Sequence, residues 1–353
     1  MNGGLRPRRQ MKSHTVPRKL LEQFAYFDPH TRSLRLWRYE KSRPPYPNAS
    51  PRTATRIEGH FTHPDIAAKE EELETRLARE FEEPVNAFLF QIGEPAFNAT
   101  EQRREQISRY LTLLFNRSEA RRLATKHLHQ VTVHAIDSFL KNEVQILTVA
   151  AKWSIDLLLS GKIQHSLVTP DVVVRVARSL LHNYDTERNR QASYAESIER
   201  AMATFDETLF SGTWRFLRAS VNEPFIISDA PVVTWERLEQ RGTFSYGLGF
   251  HRPNVEVFLP VSPLVCLHIL PNVERTRELQ QPTTREVNIA QAAFAGRCCY
   301  SNIQSDEIDQ IVQQNFGRAQ LGVTAFTVWH RNYDNSIYEI LMNNGQWVEP
   351  PRR

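Results

Sequence analysis

Apolar residues recur at helical spacing over much of the first two thirds of the chain. Every fourth position from Leu73 to Val85 is apolar within a Glu/Ala/Arg-rich stretch at 66–92. This spacing predicts a helix, with a kink or break at Pro84. Further helices are predicted in four later stretches: at 98–115, at 118–159 with a break, at 169–181, and near 192–210.

Local signals mark the ends of several of these helices. Asn98 followed by Glu101 fits a capping box, in which two side chains bond the free N–H groups of the first turn. Thr169 before Pro170 fits an N-cap with proline at the first helical position. Gly212 is predicted to end the helix near 192–210.

The period of the pattern changes after Thr213. Short β-branched and aromatic runs bounded by proline, glycine and asparagine are typical of strands. Five strands are predicted, in the segments WRFLRASV, PFIISD, PVVTW, VEVFLPV and LVCLHIL. Two helices at 283–298 and 305–317, and a closing hairpin at about 323–341, are predicted to follow.

The segment before the helices is short and mixed. Residues 33–40 alternate loosely and predict an edge strand, whereas the Pro/Ser/Thr-rich stretch 42–55 predicts an exposed loop. The chain is therefore predicted to be α+β, with a mostly α-helical N-terminal half and a mixed α/β half containing a small, largely antiparallel sheet. The predicted regions are a basic flexible tail at 1–12, an N-terminal strand and Pro-rich loop at 13–56, an α-helical region at 57–212, a mixed α/β region at 213–345, and a C-terminal tail at 346–353.

The composition is that of an ordinary globular protein. Of the 353 residues, 41% are hydrophobic and 24% are charged, which excludes collagen, wholesale disorder and a small disulfide scaffold. No apolar run is long enough to predict a membrane helix, and the basic start lacks the apolar stretch of a secretory signal. Three cysteines (Cys266, Cys298 and Cys299) do not form a disulfide framework, so a cytoplasmic protein is expected.

The net charge of +4 hides an asymmetry along the chain. Residues 1–56 hold 13 basic and 3 acidic residues, whereas the other 297 hold 31 basic and 37 acidic. Because basic segments attract the phosphate backbone, nucleic acid is the partner expected for this N-terminal arm, and no membrane partner is expected. Met11 is an alternative start that would remove three of the arginines.

Ser228 and Asp229 form the most informative single position. They follow the apolar run 225–227 and precede Pro231. Enzymes often place catalytic groups where a buried strand ends in an exposed loop. The alternative interpretation is an Asx-type turn before Pro231.

Other chemically capable sets have simpler interpretations. They are Arg122 with His127, as in certain ribonucleases; His60, His63 and Asp65, which could bind zinc or iron; Glu70, Glu71, Glu72, Glu74 and Glu80, which could bind a divalent ion; and the pair Cys298–Cys299. The commoner interpretations are solvated helix faces, a polar turn and buried thiols. No phosphate loop, G-x-S-x-G elbow or H-E-x-x-H motif is present. A divalent metal is left open, with no ligand set assigned.

Several short strings occur together in a recognisable order. His14 to Pro17 open an H-x-V-P string, and FIISDAPV at 225–232 is similar to F-I-x-S-D-N-P-V. FLPVSP at 258–263 is similar to a later F-P-L-S-P string, and VNIAQAAFAGRCCYS at 287–301 to the helix that follows it. The set, spanning about 13–305, resembles the bacterial domain-of-unknown-function family 4238. Ala230 and Val261 depart from the family pattern, where asparagine and leucine are usual.

The resemblance implies no established activity, but it draws attention to particular polar residues. These are His14, Arg117, Asp229, Ser262, Asn288 and Arg297. One hypothesis is a nucleic-acid-directed hydrolase, in which His14 acts as general acid or base, Asp229 as metal ligand or orienter, and Arg117 or Arg297 stabilises the phosphate. Ser228, Ser262 and Asn288 would then contribute to binding.

The alternative hypothesis is a non-enzymatic binding or scaffold protein whose motif residues are structural. Convergence of His14, Arg117, Asp229 and Arg297 on one place would favour a site. The oligomeric state is left open.

Overall fold

The structure is a computed structural model of the full chain. It describes residues 12–58, 67–159, 168–184, 194, 198–199, 201–203, 206–238, 243–246, 249–250, 254–271 and 281–319. The chain divides into two compact units. Unit 1 comprises residues 1–123 and 192–321, and unit 2 comprises residues 124–191 and 322–353.

The first sheet of unit 1 is centred on β3 (Ser33–Glu40). Its other strands are β2 (Tyr26–Asp28), β4 (Arg43–Ala49), β7 (Ile227–Ser228) and β12 (Cys299–Ser301). Arg38 of β3 is opposite a β4 residue on one side and a β12 residue on the other. The prediction of an edge strand at 33–40 is therefore wrong, because both edges of β3 are paired.

The prediction of an exposed loop at 42–55, which relied on the prolines at 44, 45 and 47, is wrong for most of this stretch. The structure places most of this stretch in β4, not in a loop, and the register between β3 and β4 is irregular. Among the described strands β4 pairs with β3 alone. Proline has no N–H to donate, so an edge position with an irregular ladder is where a strand tolerates it.

The second sheet of unit 1 has five strands. They are β6 (Thr213–Arg218), β8 (Val233–Leu238), β9 (Thr243–Tyr246), β10 (Val255–Ser262) and β11 (Val265–Leu270), in the order β6-β11-β10-β8-β9. Every described pair in it is antiparallel. The predicted α+β class and the largely antiparallel sheet are therefore confirmed.

A separate two-stranded ladder joins β1 (Lys12–His14) to β5 (Arg56–Glu58). The strands are antiparallel, and His14 lies opposite Arg56. This register brings two segments 42 residues apart into contact and is the base on which the candidate site is built.

The helices of unit 1 surround these strands. They are α1 (Arg18–Gln23), α2 (Ala67–Arg76) continued by a π-helix at Leu77–Glu82, α3 (Glu83–Asn86), a 3₁₀ turn at Leu89–Gln91, α4 (Glu101–Asn116), α8 (Glu207–Ser211), α9 (Thr284–Phe294) and α10 (Asp306–Asn315). The N-cap of α4 is Thr100, whose side chain accepts from the Arg103 N–H, so the capping box predicted at Asn98 is wrong. The long helix α5 (Glu119–Leu140) begins in unit 1 and continues in unit 2.

Unit 2 contains α6 (Glu143–Leu159) and α7 (Pro170–Tyr184) beside the remainder of α5. Helix α7 begins at Pro170, as the sequence predicts. The hydrophobic core of unit 2 contains Phe139, Trp153 and Val173. The predicted hairpin at 323–341 and the tails at 1–11 and 346–353 lie outside the described residues. No helix in the described parts of the chain is long and apolar enough to cross a membrane.

Candidate functional site

His14 is held by its strand partner. The Arg56 Nε–H donates to His14 Nε2 at 3.1 Å. Within the described residues His14 Nδ1 is buried and has no hydrogen-bond partner. Burial, followed by the nearby positive charges of Arg56 and Arg117, lowers the pKa of His14 to about 4. The imidazole is therefore neutral at physiological pH.

Arg117 is fully buried at the C-terminal end of α4. Its Nε–H donates to the Thr15 carbonyl at 3.0 Å, and its Nη1 donates to Glu82 Oε1 at 2.7 Å. Glu82 is the last residue of the π-helix and its side chain is 20% exposed. One guanidinium thus joins the residue after His14, the π-helix and α4, and a buried charge held in this way is expensive to remove.

Asp229 directly follows β7 and is 2% exposed. Its N–H donates to the Cys298 carbonyl at 3.1 Å, and its Oδ1 accepts from the Gly296 N–H at 2.9 Å. Its Oδ2 is buried without a partner among the described residues. Burial raises the pKa of Asp229 to about 7, although the Gly296 hydrogen bond opposes the shift. A carboxyl with this pKa can gain or lose a proton near neutral pH.

A second carboxylate, Glu119, approaches the same loop. A Cβ added to Gly296 would lie 2.9 Å from Glu119 Cγ and 3.5 Å from Asp229 Oδ2, so these two side chains flank the glycine. Glu119 accepts two bonds from Arg122, at 2.8 and 2.5 Å. Arg122 was considered together with His127 in the sequence. The structure pairs Arg122 with Glu119, and the side chain of His127 lies outside the described residues.

Arg297 connects the Asp229 loop to the His14 strand pair. Arg297 is an exposed residue next to Gly296, and its Nη1 donates to the Arg56 carbonyl at 3.4 Å. Contacts therefore run from His14 through Arg56 to Arg297, and through the Gly296 loop to Asp229. Arg117 joins them because it bonds to the residue after His14. The structure thus links the four residues for which catalytic roles were predicted through a chain of contacts, in which His14 lies near Arg117 and Asp229 lies near Arg297.

The predicted binding residues are occupied by contacts within the fold. Asn288 accepts from the Ile226 N–H and donates to the Pro224 carbonyl, both at 2.9 Å. Ser228 Oγ and its N–H each lie 2.9 Å from Gln291 Oε1, and the hydroxyl also meets the Ala230 backbone. Ser262 accepts from the Leu264 N–H in the turn between β10 and β11. These hydrogen bonds stabilise the chain near the ends of strands. A ligand-binding role for the three residues stays a prediction.

The turn at 228–230 is made by the serine and not by the aspartate. Ser228 Oγ bonds both the N–H and the carbonyl of Ala230. Asp229 points instead to the loop at 296, so a side-chain turn before Pro231 is present, as the alternative interpretation expected, but Ser228 makes it and Asp229 does not.

The remaining candidates do not add to the site. Cys298 and Cys299 are buried, and burial raises the pKa of Cys298 to about 12, which is opposite to a reactive thiol. No group of three or more metal-binding side chains occurs among the residues that the structure describes. His60, His63 and Asp65 lie outside them, as do the side chains of Glu70 and Glu71.

Sequence reasoning missed the partners that position these groups. Arg56, Glu82 and Glu119 stand in unremarkable polar stretches, and nothing local indicates their distant partners. It also missed Glu256 and His268, which form a buried pair with Nε2 and Oε2 2.8 Å apart across β10 and β11. Their signal was available, because each is a titratable residue inside an otherwise apolar strand.

The fold and this arrangement define an α+β protein in which a neutral histidine, a buried carboxyl and several guanidiniums meet at the junction of distant segments. The sequence match agrees with the strings noted above. Residues 12–306 match the family described as protein of unknown function (DUF4238), and the chain belongs to this family. No curated protein and no solved structure matches the chain.

Proposed function

We propose that this protein is a nucleic-acid-directed hydrolase, a nuclease-like effector acting at the junction of His14, Arg117, Asp229 and Arg297. The observation that carries the proposal is the chain of contacts that links these residues, from four distant segments, beside a buried carboxyl whose pKa is about 7. Buried groups with perturbed pKa values that adjoin other charged residues are typical of functional sites.

Asp229 is the group suited to proton transfer. Its Oδ2 is without a partner in the described structure, and its proton equilibrium lies near neutral pH. Arg297 is exposed and adjoins the same loop, so its guanidinium is available to a phosphate oxygen. Arg117 is fully buried and acts through Thr15, which makes it a positioning residue.

The setting of the proposal is a bacterial cytoplasm, with nucleic acid attracted by the basic arm. All three cysteines are free and buried, which supports a reducing compartment. A divalent metal is left open, with no ligand set assigned, so a divalent ion belongs in the assay.

The test is cleavage of labelled single- and double-stranded RNA and DNA between pH 5 and 9, with and without Mg²⁺ or Mn²⁺. Asp229→Asn is expected to lower the rate by about 10²- to 10⁴-fold, as loss of a proton-transfer group does. Arg297→Gln is expected to lower it on the order of 100-fold. Arg178→Gln, which removes an exposed arginine of α7 outside the basic arm, is the matched control and leaves the rate unchanged. Absence of cleavage under every condition would overturn the proposal.

A binding or scaffold protein is the second candidate. It is favoured by the hydrogen bonds of Asn288, Ser228 and Arg117, which are made to the fold itself. The Asp229→Asn variant separates the candidates, because asparagine keeps an oxygen for the Gly296 N–H. A scaffold tolerates this change in cells, whereas a hydrolase loses its activity.

A further inference from the structure

The hydrogen bond between Arg56 and His14 determines which imidazole nitrogen carries the proton. A guanidinium has N–H donors and no acceptor. The Arg56 Nε–H, 3.1 Å from His14 Nε2, must therefore meet the lone pair of that nitrogen. A neutral imidazole has one N–H, so in this arrangement the proton is on Nδ1.

The Nδ1–H is left as a donor without an acceptor. Nδ1 is buried and has no hydrogen-bond partner in the described parts of the chain. Such a group is unfavourable unless a bond is supplied from elsewhere. The donor therefore points to an acceptor that binds there.

The charges around His14 favour a negatively charged acceptor. Three positive groups act on the ring, namely Arg56, Arg117 and Arg18, and one negative group, Glu82. Glu82 is also committed to Arg117, through the 2.7 Å bond between them. The surroundings of the ring are thus positive, which suits an oxyanion.

The same surroundings leave His14 without a proton-transfer role near neutral pH. A second proton would have to enter at Nε2, where the Arg56 N–H already lies. Burial and three guanidiniums oppose the added charge, and only Glu82 favours it. The imidazole keeps its single N–H throughout the range in which Asp229 titrates.

We propose that His14 Nδ1–H donates a hydrogen bond to a phosphate oxygen, so that His14 is an oxyanion-binding residue and not a general acid or base. The ligand is a phosphate oxyanion, either a phosphodiester of nucleic acid or free phosphate. The inference rests on the proposed function only for the identity of the substrate. It assigns proton transfer to Asp229 and oxyanion binding to His14.

The test uses a matched pair of substitutions in the full-length chain. His14→Asn places an amide N–H where Nδ1–H stands, whereas His14→Gln places its amide toward Nε2. Binding is measured by calorimetry with two probes, inorganic phosphate and a short oligonucleotide lacking terminal phosphates. His14→Asn is expected to retain the affinity of the native chain, and His14→Gln to weaken it about 10- to 100-fold, as loss of a hydrogen bond to a charged group does.

The probe that shows this difference identifies the source of the phosphate. Equal affinity of the native chain and both variants for both probes, or absence of binding of either probe to the native chain, would overturn the inference. Binding is scored independently of cleavage. A chain that binds phosphate in this pattern but cleaves no nucleic acid would contradict the hydrolase proposal and support the oxyanion-binding role of His14.

A spectroscopic measurement on the native chain requires no variant and holds even if a substitution prevents folding. Long-range ¹H–¹⁵N NMR distinguishes the two neutral imidazole tautomers. The expected spectrum shows His14 as the Nδ1–H tautomer from pH 6 to 8, with its Nδ1 proton shifted when phosphate is added. An Nε2–H tautomer, or protonation of the ring above pH 6, would contradict the proposal.

Discussion

A buried carboxyl with a raised pKa makes stability depend on pH, and Asp229 is such a group. Its pKa is raised from 3.8 to about 7, so the folded chain holds a proton that the unfolded chain releases between these values. The stabilisation that Asp229 contributes is complete below about pH 4 and is lost as the pH rises through 7. Above pH 7 the folded protein contains a buried charge whose desolvation cost the Gly296 hydrogen bond and the Arg297 charge offset only in part.

Asp229→Asn is therefore expected to stabilise the protein at high pH. The amide cannot ionise, and its oxygen still accepts from the Gly296 N–H. At pH 8 the free energy of unfolding is expected to rise on the order of 4 kcal/mol, and at pH 5, about one unit above the unfolded pKa, by only about 1–2 kcal/mol. Urea unfolding at the two pH values measures both differences.

Two features make this comparison clean. His14, whose pKa is lowered, has the opposite pH slope, but it is the same in both proteins and cancels in the difference. Asp137→Asn, which removes an exposed partner of Lys141, is the control and changes stability by less than about 0.5 kcal/mol at either pH. A variant of Asp229 that is less stable than the native chain at pH 8 would show that the ionised carboxylate is well solvated or paired.

At this scale the sequence identifies reactive groups better than their partners. Asp229 stands out at the end of an apolar run, His14, Arg117 and Arg297 come from a family resemblance, and the structure links the four through a chain of contacts. The roles of Arg56 and Glu119 could not be predicted. Arg56 meets His14 across 42 residues, which depends on the register of β1 with β5, and Glu119 meets Gly296 across 177 residues (296 − 119), which depends on the path of the loop after α9. Hydrogen-bond direction, which fixes the tautomer of His14, exists only once that register is formed.

Among the elements, the loop after α9 is the one packed most closely against the site. Gly296 lies between Glu119 and Asp229, and a Cβ there would come 2.9 and 3.2 Å from Glu119 Cγ and Cβ. Glu119 is itself held by two bonds to Arg122. The neighbour therefore has little freedom to move away.

Gly296→Ala is expected to destabilise the protein by about 1–3 kcal/mol, as overpacking of a tight contact does. The displaced loop also weakens the hydrogen bond from Gly296 to Asp229. Gly249→Ala is the matched control, because no atom lies within 4 Å of a Cβ added there. Equal melting temperatures for the two alanine variants would show that Glu119 yields without cost.

Most elements follow from local pattern, and the exceptions have physical causes. The continuous buried run of β10 and the apolar stripe of α10 are predicted correctly because burial alone determines them. β4 is not, since three prolines conceal a strand whose partner lies on β3. The helix cap is Thr100 and not the predicted Asn98, because the helix begins at Glu101 and threonine caps a helix end much as asparagine does.

For the whole molecule, the division into units crosses the boundaries expected from the pattern. Helices of the predicted 57–212 region occur in both units, and unit 1 combines residues from both predicted halves. A change of periodicity marks a change of secondary structure, which need not coincide with a change of compact unit. The site residues all belong to unit 1.

The charge asymmetry makes the last prediction a property of the whole chain. Deleting residues 1–12 removes four basic residues and no acidic one, which lowers the formal net charge from +4 to zero. If these residues contact phosphates, the slope of log affinity for nucleic acid against log salt falls by about 3–4, at roughly 0.9 per contact on duplex DNA. Fluorescence anisotropy between 50 and 200 mM salt, a range suited to such slopes, measures it.

A control of equal charge separates the arm from the charge of the molecule as a whole. The control changes four exposed arginines to glutamine: Arg175, Arg178, Arg285 and Arg318. It has the same net charge as the deletion but retains residues 1–12, so its slope is expected to stay within about 1 of the native value. An unchanged slope in the deletion would contradict binding through residues 1–12. Equal losses in both variants would assign the attraction to overall charge, because only a localised contact depends on where the charges stand.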